Sequence, residues 1–165
     1  MKLPTHARHA MQLMLEVARR PDVPTSLREV AERTRVSRRC LDQLAIRLRN
    51  ANLIRGRSGH GGGYRLARPP AQISLGGIIE AASGPIHIVE CLRHPELCLQ
   101  SDLCPCRAVY ALMNERIREA LQGLSLAEFQ AHGGTVSAPG EGHPVTEHQL
   151  GSSLPTSLLY LRSFR

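Results

Sequence analysis

The sequence predicts a mainly α-helical fold with one small β-wing. Three observations point there. Apolar residues recur at helical spacing through most of the first 121 positions, two short stretches each open on a capping serine, and a glycine-rich turn joins two strand-like segments. Composition agrees. The 165-residue chain is 42% hydrophobic but lacks Trp and holds two Phe and three Tyr. Its core must be aliphatic, which suits packed helices better than a β-sandwich.

The elements follow in order. Residues 6–20 read as a first helix, with Ala7, Ala10, Met11, Met14, Val17 and Ala18 on one face and Pro21 and Pro24 after it. Ser26-Leu-Arg-Glu29 is a capping box opening a short second helix that runs to about Thr34. Ser37 caps a third helix with Leu41, Leu44, Ala45 and Leu48 inward and Arg38, Arg39, Asp42, Gln43, Arg47 and Arg49 outward. A strand begins at Leu53-Ile54, Gly59-His60-Gly61-Gly62-Gly63 turns, and Tyr64–Leu66 returns as its partner. Ser74 caps a fourth helix carrying Leu75, Ile78, Ile79 and Ala82, which Gly84-Pro85 ends, and Ile86–Val89 is expected to form a short strand. A cysteine-rich loop from Cys91 to Cys106 feeds a long amphipathic helix over about 107–121. Three regions are expected: a winged helix-turn-helix over 1–68, the linker helix, cysteine loop and long helix over 69–129, and a flexible Gly-, Ser-, Pro- and His-rich tail over 130–165.

Charge is unevenly placed. Residues 1–68 hold fifteen Lys or Arg against five Asp or Glu, whereas residues 69–165 hold six against nine. Only the first half is therefore suited to a polyanion. Two capped helices at a sharp turn, followed by a hairpin, form the kind of head that sets its second helix in the major groove of double-stranded DNA. The residues expected at that surface are Ser37, Arg38, Arg39, Asp42, Gln43 and Arg47 on the helix and Arg57, His60 and Arg65 on the wing. The triple glycine lacks the following Gly-Lys-Ser/Thr of a nucleotide loop. No catalytic motif is evident, so an enzyme is not expected. Met1–Arg20 has no unbroken apolar stretch of a secretory signal, and no run approaches the ~20 apolar residues of a membrane span. A cytoplasmic protein with no membrane partner is expected.

Four of the five cysteines fall between positions 91 and 106, separated by six, five and one residues. In a reducing compartment such clustering points to metal or redox chemistry more than to structural disulfides. Thiolates are soft donors that suit iron–sulfur clusters or zinc. Structural zinc sites usually take two close pairs, and this spacing offers a wider loop. The reading is an iron–sulfur cluster, [2Fe–2S] or [4Fe–4S], with zinc, a metal-free thiol switch and an iron–sulfur electron carrier as alternatives. Cys40 stands alone on the third helix and is expected to be a small buried hydrophobe.

These stretches together resemble the Rrf2 family of bacterial winged-helix transcriptional regulators. The resemblance covers about residues 1–129. Its specific parts are Gly61-Gly-Gly-Tyr-Arg-Leu-Ala-Arg-Pro-Pro70 and the cysteine loop, whose following helix leads into Leu124-Ser-Leu-Ala-Glu-Phe129. The resemblance implies a DNA-binding repressor that pairs as a homodimer through the long helix on a palindromic operator, with a redox-, nitric oxide- or iron-sensing cluster in each subunit. It assigns Cys91, Cys98 and Cys104 as ligands and Arg39, Asp42 and Gln43 as base readers. Departures lie at Ser58, where the family often has Arg, and at the fourth ligand. The positions that the resemblance implies for that ligand hold Arg107 and Arg8 here, which cannot bind iron; Cys106, His6 or His9 from a second copy, a small molecule or an open position remain, and Cys106 is favoured.

Overall fold

A computed structural model describes residues 3–59, 61–97 and 104–133. The elements run α1 (Thr5–Ala18), α2 (Leu27–Thr34), α3 (Arg38–Asn50), β1 (Ile54–Arg57), β2 (Gly63–Leu66), α4 (Leu75–Ser83), α5 (Glu90–Arg93), α6 (Arg107–Gly123) and α7 (Leu126–Gly133), with single 3-10 turns at Pro70–Gln72 and Pro95–Leu97. The mainly helical fold with a β-wing stands as expected.

Local chemistry sets the ends. α1 stops at Ala18, short of the expected Arg20, because the residue before Pro21 is pushed out of helical geometry. At α2 the Ser26 hydroxyl accepts from the Glu29 amide and the Glu29 carboxylate accepts from the Ser26 amide, a complete capping box. Ser37 and Ser74 cap α3 and α4 through the amides of Cys40 and Gly77. The turn between α2 and α3 passes through Arg35 in the left-handed region, at φ 59°, a conformation costing a non-glycine residue about 1–2 kcal/mol.

One aliphatic core joins these pieces. Leu13, Met14 and Val17 of α1, Val30 of α2, Leu41, Leu44 and Leu48 of α3, Ile54 of β1, and Ile73 and Ile78 around α4 pack together. Leu126 of α7 completes the cluster with none of its surface exposed. Its place is fixed by backbone: the Leu75 amide donates to the Leu124 carbonyl and the Leu126 amide to the Ile73 carbonyl, both at 2.8 Å. Ser125 and Glu128 form a second capping box, the Ser125 amide donating to Glu128 Oε2 at 2.7 Å and the Glu128 amide to Ser125 Oγ at 3.2 Å. The hydroxyl and amide of Ser125 hold the Glu128 carboxyl below the usual carboxylate range. α7 thereby carries the helix to Gly133, past the position where a tail was expected to begin. Residues 134–165 lie outside the described residues.

Residues Ile86–Val89 correct the sequence reading. They form no strand; the Ile88 amide donates to Asn114 Oδ1 of α6 at 3.0 Å. The only sheet among the described residues is the wing, and no strand edge is offered to this segment.

The wing is an antiparallel pair in the register Ile54↔Leu66, Arg55↔Arg65, Gly56↔Tyr64 and Arg57↔Gly63. Buried Thr25, just before α2, bonds both ways with Tyr64 at 2.9 Å and clamps the hairpin to the body. This close approach demands glycine at 63, where a Cβ would stand 2.6 Å from the Thr25 carbonyl oxygen. At Gly56 the same atom would meet only the Tyr64 ring, at 3.6 Å. We therefore expect Gly63→Ala to lower stability by about 1–3 kcal/mol, measured by chemical denaturation, while Gly56→Ala stays near the parent. Equal effects at the two positions would contradict the clamp.

Candidate nucleic-acid interface

Helical phase fixes what α3 presents. Leu41, Leu44, Ala45 and Leu48 face the core. At 3.6 residues per turn the line directly opposite them carries Arg39, Gln43, Ile46 and Asn50, all exposed. Arg38 and Asp42 stand on one flank and share an ion pair at 3.0 Å. The Asp42 carboxylate keeps acceptor capacity for the amino group of a cytosine, while Arg39 and Gln43 have the donor patterns that read guanine and adenine edges. Ser37, itself exposed, is the N-cap of α3.

Arg47 stands apart from the others. Its guanidinium Nη1 donates to the Ala82 carbonyl at the end of α4. A helix C-terminus leaves carbonyls unpaired and carries partial negative charge, so a cation on the adjoining flank of α3 is drawn there. Cys40 is half-buried rather than fully buried, with Sγ 3.6 Å from His9 Nδ1.

The wing places Arg55 and Arg65 directly opposite each other, an arrangement of like charges that is unfavourable unless an anion joins them. Arg57 and Ser58 border a cleft of about 250 Å³ together with Arg49, Gly56, Gly63 and Tyr64. This cleft between the end of α3 and the wing brings two guanidinium-bearing residues to one place, the donor set that suits a phosphate. Arg49 was visible in the sequence as an outward residue, but its pairing with Arg57 depends on the hairpin folding back. Arg35 is also exposed at the helix-turn-helix bend, and its strained backbone is a feature periodicity alone does not reveal. His60 lies outside the described residues.

Several cations of α1 and α2 are neutralised. Arg19 and Arg33 share buried Glu16, Arg20 pairs with Glu29, and Arg28 with Glu32. Among the described residues, Arg35, Arg39, Arg49, Arg55, Arg57 and Arg65 make no ion pair. Unneutralised arginines thus lie along the outer turn, helix and wing.

The cysteine segment adjoins the body through α5 and α6. Cys91 lies on α5, Cys104 just ahead of α6, and Cys106 at its N-cap. All three are free thiols, Cys91 and Cys104 half-buried and Cys106 exposed. Their donors are soft, as an iron–sulfur cluster requires. Among the described residues no three His, Cys, Asp or Glu side chains gather as a ligand set; Cys98 lies outside those residues. No helix among the described residues is long and apolar enough to cross a membrane.

Comparison with known proteins agrees with this architecture. The Rrf2 family model, described as an iron-dependent transcriptional regulator, matches residues 3–132. IscR of Aliivibrio salmonicida, an HTH-type transcriptional regulator, is 34% identical over 130 residues, which span 78% of this chain and 77% of IscR. The structure of CymR, the global cysteine regulator of B. subtilis, superposes with a TM-score of 0.68 at 31% identity, covering 80% of this chain and 98% of CymR. T. potens IscR gives a TM-score of 0.67 at 29% identity over 85% of this chain and 94% of its own. These relatives are regulators of transcription, not enzymes. With a family match across nearly all of the described residues, the chain belongs to the Rrf2 family of DNA-binding, winged-helix transcriptional regulators.

Proposed function

We propose that this regulator reads a palindromic operator as a homodimer and that a cysteine-ligated iron–sulfur cluster sets its operator affinity. The observation that carries the DNA-reading surface is the set of arginines without ion pairs at Arg35, on the outer face of α3 and along the wing, where Arg55 and Arg65 stand opposite each other. Arg39, Asp42 and Gln43 read bases, Arg38 positions Asp42, and Arg49, Arg57 and Arg65 hold phosphates. Ser37 and Arg47 act indirectly, one as the α3 cap and the other as the tie between α3 and α4.

Pairing of two copies is supported by the outer face of α6. Val109, Leu112 and Met113 are 55%, 60% and 49% exposed on one side of a 17-residue helix. Such an apolar stripe is costly in water and is covered when two copies meet. Replacing Leu112 with Glu should turn the dimer into a folded monomer in analytical ultracentrifugation and weaken operator binding. A monomeric parent protein would overturn this part.

Cys91, Cys98, Cys104 and Cys106 would hold the cluster, which when bound supplies a centre sensitive to redox state, nitric oxide or iron supply. Those thiolates would join α5 to the start of α6, so their engagement biases how the two elements pack. A signal shifts operator affinity only if it distinguishes the two packings. A second reading, a metal-free thiol switch, is favoured by the likeness to CymR, a cysteine regulator with a structure of an oxidised form.

Two experiments separate these readings. Protein purified without oxygen should contain iron and acid-labile sulfide and be coloured, and Cys98→Ala should lose both together with regulated binding. A colourless chain that takes up neither iron nor sulfide on reconstitution, but forms reversible disulfides, would favour the thiol switch. For DNA, Arg57→Ala should weaken binding to all duplexes and lower the salt slope by about 1, whereas Arg39→Ala should cost about 1–3 kcal/mol and relax base preference at one position. Fluorescence anisotropy across a salt series checks both; indistinguishable effects would contradict the division between phosphate and base contacts.

A further inference from the structure

On the outward line of α3 one side chain does not match its neighbours. Ile46 is 44% exposed between polar Arg39 and Gln43 on one side and Asn50 on the other. It belongs to neither apolar cluster of the body. A β-branched residue at a solvent-facing helical position is a poorer helix former than Ala, Leu, Arg or Gln, so neither packing nor propensity accounts for it there. Single exposed apolar residues are common on protein surfaces. This one stands at the centre of the face whose polar members match base edges.

In the major groove the one apolar feature of a base pair is the C5 methyl group of thymine. We infer that Ile46 is a specificity-determining residue that selects a thymine by covering its methyl group. The inference rests on the DNA-reading proposal and adds to it the identity of a base. Geometry gives its place. Ile46 follows Arg39 by seven residues, a rise of about 10 Å along the helix. Where α3 lies along the groove, that spans about three base-pair steps. The selected thymine therefore lies about three pairs from the base that Arg39 addresses. Arg47 helps hold this register, because its bond to the Ala82 carbonyl fixes the rotation of α3 about its axis.

The test uses the full chain and its own preferred sites. Duplexes bound from a random-sequence library define the site, and each thymine of a selected duplex is then replaced by deoxyuridine, which lacks only the C5 methyl group. One thymine per half-site is expected to be sensitive, with affinity falling about fourfold per half-site, the factor that burying one such carbon supplies. Ile46→Ala should abolish the sensitivity at that position alone, keep its helical circular dichroism and retain its affinity for unrelated duplexes. Wild-type binding indifferent to deoxyuridine at every position would overturn the inference while leaving the DNA-reading proposal standing. So would an Ile46→Ala protein that keeps the full sensitivity. A library that enriches no sequence would overturn the DNA-reading proposal and this inference with it.

Discussion

The burial of α1 is the constraint on which the other elements depend. Ala7 and Ala10 have no exposed surface, and small side chains there allow α4 to approach closely along the same helix that supports α3, β2 and α7. With no Trp and few aromatic residues, contact has to come from many aliphatic groups in close register, where each lost methylene is felt. The one acid on this buried surface, Glu16, is tolerated because Arg19 and Arg33 both reach it at 3.1 Å. Arg33 comes from α2, so the same pair that makes the acid tolerable also links the first two helices.

Arginine performs opposite tasks in this body. On α1 and α2 it neutralises carboxylates, Arg33 linking the two helices through Glu16. At Arg35, Arg39, Arg49 and Arg57 it is left without acids, and on the wing Arg55 and Arg65 stand opposite each other. The second arrangement is unfavourable in isolation and becomes favourable beside a polyanion. Arg38 is intermediate. Its pairing with Asp42 limits repulsion along α3 and orients a carboxylate at the surface where bases would be read.

Much of this was legible in the residues because the signals are local. Ser26, Ser37 and Ser74 cap the helices they were expected to cap, since a hydroxyl needs only an amide three residues on. α7 carries the same Ser-x-x-Glu signal at Ser125 and Glu128, yet it is short and weakly amphipathic, and its place depends on Leu126 docking into a core assembled from distant residues. Ile86–Val89 has strand-forming residues but meets a side chain of α6 instead of another strand. Arg47 has the phase of an outward residue, and only the position of the α4 terminus turns it aside. Ile46 was present in the sequence all along; it acquires meaning once the surrounding polar line is seen to be a single surface.

Leu126 has a consequence for how such a chain can change over generations. The hydrophobic interior beneath α3 is closed by a side chain that arrives only after the cysteine segment and α6 have been traversed. A head finished in this way is a poor exchangeable part: joined to another protein after the wing, it would carry an open apolar hole. The α3 and wing surface and the segment that carries the thiols are therefore inherited as one piece, and variation in one is filtered by its fit to the other.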